Sequence, residues 1–400
     1  MDEKQYLRDL ALRQAELAAS PENQRLKEAW YKHNSLQGEH PMVVFEEDTC
    51  VKEFVKPLCE TPAARALEAR LLQNIRSHEI LGDDKVVPDF IEVPVNIESR
   101  FFGVAPKRVV AEEGLGYHDE PVLSDLTEDL EKLSASQFRC NREETERRES
   151  YVHDMVGDIL PTRRVNALNR WHFALTQHAV NLMGMENLFL AMYDTPDELH
   201  ALMRFLTDDC KRLLRWEEEN GLLFANAGND YMGSGSYCFN RELAQSGPVT
   251  SRQTGGHTNS QESVGISPEM YEEFIFPYLC EIADEFGLMY YGCCEPVHPI
   301  WDRCVSKLPH LRKVSISAWC DEAFMAERLT GANVIYSRKP SPNFLGVDPV
   351  LDEDAFRAYM KNTLDLTRGC HVEIIFRDVY TLHGDPSKAR RTVEIVRSLM

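Results

Sequence analysis

Long apolar runs are missing from this chain: nothing approaches the ~18 consecutive apolar residues that span a bilayer. The opening MDEKQYLRDLALRQAELAAS is polar and helix-like, without the apolar stretch of a secretory leader, so a cytoplasmic protein is expected. Positive charge is scarce as well. Lys plus Arg total 44 against 65 Asp plus Glu, a formal charge of −21. Nucleic acid and anionic membrane are thereby disfavoured as general partners, because an acidic surface repels phosphate. There is also no CxxC pair, no GxGxxG loop, no internal repeat and no low-complexity linker. The eleven cysteines are expected as reduced thiols, mostly buried as small apolar residues.

What is present is sulfur at a strand end. In GLMYYGCCEPVHP (287–299) two adjacent cysteines, a glutamate and a histidine follow a short apolar run. Were the strand to continue, Cys293 and Cys294 would point to opposite faces; both reach one pocket only if it has ended. The surrounding sequence alternates β-type runs with helices. LMYYGCC (288–294), KVSIS (313–317), ANVIYS (332–337) and HVEIIF (371–376) are separated by helical runs with readable starts at Ser267-Pro268, Asp321 and Asp385-Pro386. HPMVVFEED, VVPDFIEV (86–93) and GLLFANAG (221–228) read as further strands. Pro277 predicts a kink in the helix after Ser267, and Asp194-Thr195-Pro196 a junction between helices. Residues 103–150 read as a charged excursion, and GSGS (233–236) as a loop. Nearly continuous apolar strands alternating with helices predict parallel strands under a helical cover. The expected fold class is α/β: a (β/α)8 TIM barrel over 81–400, preceded by a mainly helical extension over 1–80. A doubly wound open sheet is the alternative.

Reactive groups of such barrels gather where strands end and the following loops begin. Polar clusters recur at those points: Cys293-Cys294-Glu295, Trp319-Cys320-Asp321, Arg338-Lys339 and Arg377-Asp378. The loop GGHTNSQES (255–263) adds His257, Gln261 and Glu262. Each has a plainer reading too. Glu262 and Glu295 can be solvated loop acids, Asp321 an N-cap, His298 a helix cap, and Arg338 and Lys339 partners of the acidic rim. Asp378 ends a strand, where an unpaired buried acid is costly, so it needs a partner or a metal.

The stretches DLTEDLEKL (125–133), LMGMENLFLAMYDTPDELHALMRFLTD and, most specifically, GISPEMYEEFIFPYLCEIADEFGLMYYGCCEPV resemble the uroporphyrinogen decarboxylase superfamily. That superfamily also holds zinc-dependent methyltransferases that serve corrinoid proteins and thiols. The resemblance implies a (β/α)8 barrel. The arginine-bearing R-Q-A-G-R segment of the decarboxylases is absent, and Asp89 lies near the place of their catalytic aspartate. In the methyltransferases an H-x-C pair and a later Cys hold zinc. Here that slot reads Gly292-Cys293-Cys294, so Cys294 matches the cysteine, and the late cysteine falls near Asp378. The resemblance therefore implies Zn²⁺ on Cys294, with Cys293, Glu295, Glu262, Asp378 or His298 making up the ligand number.

The activity so implied is a zinc-dependent methyltransferase, moving a methyl group between a small substrate and a corrinoid cofactor or thiol. The corrinoid would be carried by a separate partner protein. Glu262, Arg338, Lys339 and Asp378 are the expected catalytic residues, Arg338 and Lys339 holding an anionic group of the substrate. The alternatives are a uroporphyrinogen decarboxylase-type lyase of porphyrin biosynthesis and a non-catalytic small-molecule-binding barrel.

Overall fold

The computed structural model describes residues 2–110 and 117–400. Its strands are β1 (Met42–Phe45), β2 (Ile91–Pro94), β3 (Ile97–Arg100), β4 (Lys107–Val110), β5 (Tyr117–Glu120), β6 (Gln137–Cys140), β7 (Thr162–Val165), β8 (Tyr231–Gly233), β9 (Ser236–Tyr237), β10 (Gly255–Thr258), β11 (Leu288–Tyr291), β12 (Leu311–Ile316), β13 (Ile335–Arg338) and β14 (Val372–Phe376). Six of them form one all-parallel sheet in the order β1-β14-β13-β12-β11-β10. Strands β2 and β7 form a separate parallel pair. The chain is thus mixed α/β with a parallel sheet, as expected. The sheet itself is open: among the described residues no ladder joins its edge strands, β1 and β10, to β2 or β7. Strand β1 lies within residues 1–80 and is hydrogen-bonded to β14.

Side-chain alternation sorts these strands into two faces. Val43, Phe45, Met289, Tyr291, Val314, Ile316, Ile374 and Phe376 enter the large core under the helices. The alternate positions, Lys313, Ser315, Ser337 and Glu373, are equally buried but polar, and they face the other way. Helix Glu3–Ala19 packs with Pro62–Arg76 and Arg142–Val156 around Leu7, Leu71, Ile91 and Leu160, a second core. Trp30 closes the inner floor with Met42, Val44, Phe239 and Ile375.

Local differences from the sequence reading have packing causes. GLLFANAG makes no strand, only a bridge from Phe224 to Pro248. The Asn226 amide bonds the Gly255 carbonyl and amide at 2.8 and 2.9 Å, occupying the β10 edge that a strand would have filled. GGHT, expected in a loop, is strand β10 because its glycines are needed there: a Cβ on Gly256 would lie 2.4 Å from the Phe286 ring. GSGS turns the antiparallel hairpin β8–β9. The charged excursion holds the antiparallel pair β4–β5 and strand β6, which pairs with β3 just before it; its residues 111–116 lie outside the described residues. Helices Pro268–Phe274 and Phe276–Ala283 break at Ile275, next to Pro277, and helix Pro196–Glu219 starts at the expected junction. No helix among the described residues is long and apolar enough to cross a membrane.

Candidate functional site

Because the six strands are parallel, their C-terminal ends share one rim. The strand carrying the cysteines stops at Tyr291, and Gly292 (φ +97°) turns the chain in a conformation L-residues avoid. That turn brings both sulfurs to one side. Cys293 Sγ lies 3.5 Å from Cys294 Sγ, and the Cys294 thiol donates to Asp378 Oδ2 at 3.3 Å. Ser315 Oγ donates to the Cys293 carbonyl at 2.6 Å and holds the turn against β12.

Glu295 is a brace rather than a member of the sulfur group. Its carboxylate accepts from the Cys293 and Ser260 amides at 2.8 and 3.1 Å, tying the cysteine turn to the loop after β10. Burial pushes its pKa up, against those donors. Glu262 accepts from Thr176 Oγ1 at 2.7 Å, buried on the helix side. Neither carboxylate is hydrogen-bonded to the sulfur of Cys293 or Cys294.

The positive charge comes from Arg377. It reaches Glu46 at 3.7 Å and Asp378 at 3.5 Å, donates to Ser234 Oγ, and lies 5.7 Å over the Trp171 ring. The two thiols are driven apart in acidity. The hydrogen bond from Cys294, with the Arg377 charge, draws Cys293 toward thiolate. Cys294 goes the other way, its proton held by Cys293 first and then by burial and Asp378.

Arg338 and Lys339 part company, as alternation along β13 dictates. Arg338 turns to the helical layer, where it bonds Glu322 at 2.6 Å, Tyr359, and the Ser317 carbonyl at 2.7 Å. The expected joint grip of Arg338 and Lys339 on one substrate group is therefore not what the side chains form. Lys339 points inward, donating to Tyr290 Oη at 2.8 Å and Ser337 Oγ at 2.7 Å. Burial pushes its pKa down to about 7. Below it, Ser337 donates to Glu373 Oε1 at 2.6 Å and Lys313 to Glu373 Oε2 at 3.0 Å. Burial alone would raise Glu373; Lys313, His33 and Lys339 hold it down instead. His298 is a cap: its Nδ1 accepts from the Asp321 amide at 3.2 Å.

Two cavities flank the β2–β7 pair. One, of about 320 Å³, lies toward β10 among Arg163, Asn166, Asp230, Tyr231 and His257. The other, of about 260 Å³, lies toward β1 among Glu46, Val86, Glu92, Tyr231 and Gly235. His257 Nε2 donates to the Gly292 carbonyl at 3.2 Å, so it stands between the larger cavity and the sulfur turn. Glu46, Tyr231 and the inner polar strand positions were not singled out from sequence; polar residues alternating within apolar β12, β13 and β14 were the available signal.

A different group of metal donors converges elsewhere. A ring nitrogen each of His172 and His178 and the sulfur of Cys210 lie within 4.8 Å of one another, and this trio can hold a metal ion. Sequence reasoning missed it because the two histidines are six apart and the cysteine lies a helix away.

No protein-family model matches this chain, and no curated protein matches its sequence. Its structure is similar to that of a methyltransferase from Methanosarcina mazei, with a TM-score of 0.51 at 12% identity. The likeness covers 93% of this chain and 98% of that one, and at this identity it speaks to fold.

Proposed function

We propose that this protein is a methyltransferase whose reacting group is the Cys293–Cys294 pair at the C-terminal mouth. It would move a methyl group between a small substrate and a thiol or a corrinoid held on a partner protein. We also read the fold as a (β/α)8 barrel whose ladder is interrupted on both sides of β2–β7, where the two cavities open. The observation that carries the reading is the contact of two sulfurs at 3.5 Å with a carboxylate 3.3 Å beyond, beside a buried arginine. Full-length likeness in fold to a methyltransferase supports it.

The donor chemistry suits zinc. Two thiolates on one tetrahedral zinc, at ~2.3 Å each, stand roughly 3.8 Å apart, close to the separation of this pair. Cys293, Cys294 and Asp378 would hold the ion, which when bound supplies Lewis acidity and favours the thiolate forms. The chain's own groups do the rest. Asp378 accepts the hydrogen bond of Cys294, and Arg377 offsets the negative charge gathered on sulfur and carboxylate. Lys339, with its depressed pKa, can hold or release a proton near neutral pH in the water-poor interior. The cavity beside His257 suits a small substrate; a corrinoid is too bulky for it and would approach the rim from outside. Arg377, Lys313 and Lys339 already face the chain's own carboxylates, which favours this reading over a lyase for a porphyrinogen bearing many carboxylates.

Metal content and methyl transfer test this. Protein prepared with zinc is expected to lose one equivalent in Cys293→Ser/Cys294→Ser, together with demethylation of methylcobalamin by added thiol. Folded, zinc-replete protein that leaves methylcobalamin intact with every thiol and corrinoid protein offered would overturn the reading.

A further inference from the structure

The trio of His172, His178 and Cys210 lies in the core under the helices, apart from the cysteine turn. His172 follows the short turn at Leu168–Arg170, His178 sits in the first turn of helix Leu175–Met183, and Cys210 in helix Pro196–Glu219. We propose that these three residues hold a second, structural transition-metal ion, with zinc the best match to two imidazoles and one thiolate. It would pin the Trp171 segment to helix Pro196–Glu219.

Four observations converge on this. The three donor atoms fall within 4.8 Å of one another, so small side-chain rotations bring them onto one ion. His172 Nε2 is fully buried without a hydrogen-bond partner, a nitrogen lone pair or N–H with nothing to satisfy it. Cys210 has only the His172 carbonyl, at 3.7 Å, as a weak acceptor. His178 Nε2 meets that same carbonyl at 2.7 Å, which fixes its ring as an outer-shell carbonyl does for a metal-bound imidazole.

The surroundings suit a structural ion. Phe101 lies 4.8 Å from the His172 ring, Phe102 5.1 Å from the half-buried His178 ring, and Phe173 5.7 Å from His172, so the trio sits among aromatic rings. Binding would replace the Cys210 proton; the neighbouring Asp209 carboxylate is already bound by Arg212 and Ser136. The consequence reaches the mouth. Trp171, next to His172, packs 4.9 Å from His257 and lies under Arg377.

The test is cobalt(II) loading of the full chain, read by metal content and sulfur-to-cobalt absorption. Cys293→Ser/Cys294→Ser is expected to retain one equivalent with that absorption, and the same variant carrying Cys210→Ser or His178→Gln to lose it. A chelator should lower the melting temperature of Cys293→Ser/Cys294→Ser and leave that of the same variant carrying His178→Gln unmoved. Should Cys210→Ser not fold, His178→Gln gives the same comparison with the thiol intact. Absence of metal from folded Cys293→Ser/Cys294→Ser, or metal retained in full by that variant carrying His178→Gln, overturns the proposal. Neither result depends on whether the mouth transfers methyl groups.

Discussion

A lysine ammonium is hard to bury, and Lys339 is buried with only hydroxyl groups in direct contact. Its pKa of about 7 lies below the unfolded lysine range. Between the two values the unfolded chain carries the proton and the native one does not. Native stability therefore rises with pH across that window, by at most about 1.4 kcal/mol per unit, and the burial penalty is complete below it. Lys339→Met lacks this slope. Its stability relative to the parent is expected to be most favourable at about pH 7 and to decline by about pH 9, measured by urea unfolding. An unchanging difference would mean that the native amine stays protonated throughout.

At the level of elements, the hairpin β8–β9 fills the space inside the strand ends. Ser234 and Ser236 are wholly buried, bonded by Arg377 and Lys313. Gly235 (φ +83°) stands where a Cβ would fall 2.6 Å from both Glu46 Oε2 and Ile375 Cγ2. Gly235→Ala is thus strained in backbone and in packing, and a loss of about 1–3 kcal/mol is expected in denaturant unfolding. A loss within ~0.5 kcal/mol, the range of ordinary surface changes, would place the hairpin outside the interior.

For the whole molecule, one of the contacts between the N-terminal helices and the sheet is a buried ion pair. Arg76, at the end of helix Pro62–Arg76, bonds both oxygens of Glu47 at 2.9 and 2.8 Å, just beyond β1, with both side chains buried. Removing one partner strands the other charge. Arg76→Met is expected to destabilise the chain by about 3–5 kcal/mol, seen as a lowered denaturant midpoint, whereas replacing both residues by apolar ones should recover much of it. A double variant as unstable as the single would refute the stranded-charge account.

How much of this was legible beforehand differs by feature. Strands β11 to β14 and their helices could be read from apolar runs and caps, because those signals are local. Strand β10 could not: Gly256 is explained by Phe286 and Gly255 by Cys238, both distant in sequence. Strand β7, Thr162–Val165, reads as charged because Arg163 and Arg164 are paired with Asp230 and Glu149 from elsewhere. At the mouth, Cys293, Cys294 and Asp378 were expected together and do meet. Glu262, Glu295 and Arg338 went to Thr176, backbone amides and Glu322, partners that no spacing rule discloses.

By itself, then, the amino-acid order determined the parallel α/β plan and the placing of sulfur at a strand end, since periodicity and turn chemistry act between near neighbours. Which acid meets that sulfur, how the two thiols differ in acidity, and which lysine turns inward were decided only by the packed structure. Burial and Coulomb interactions depend on distances through space, and those are set by every element at once.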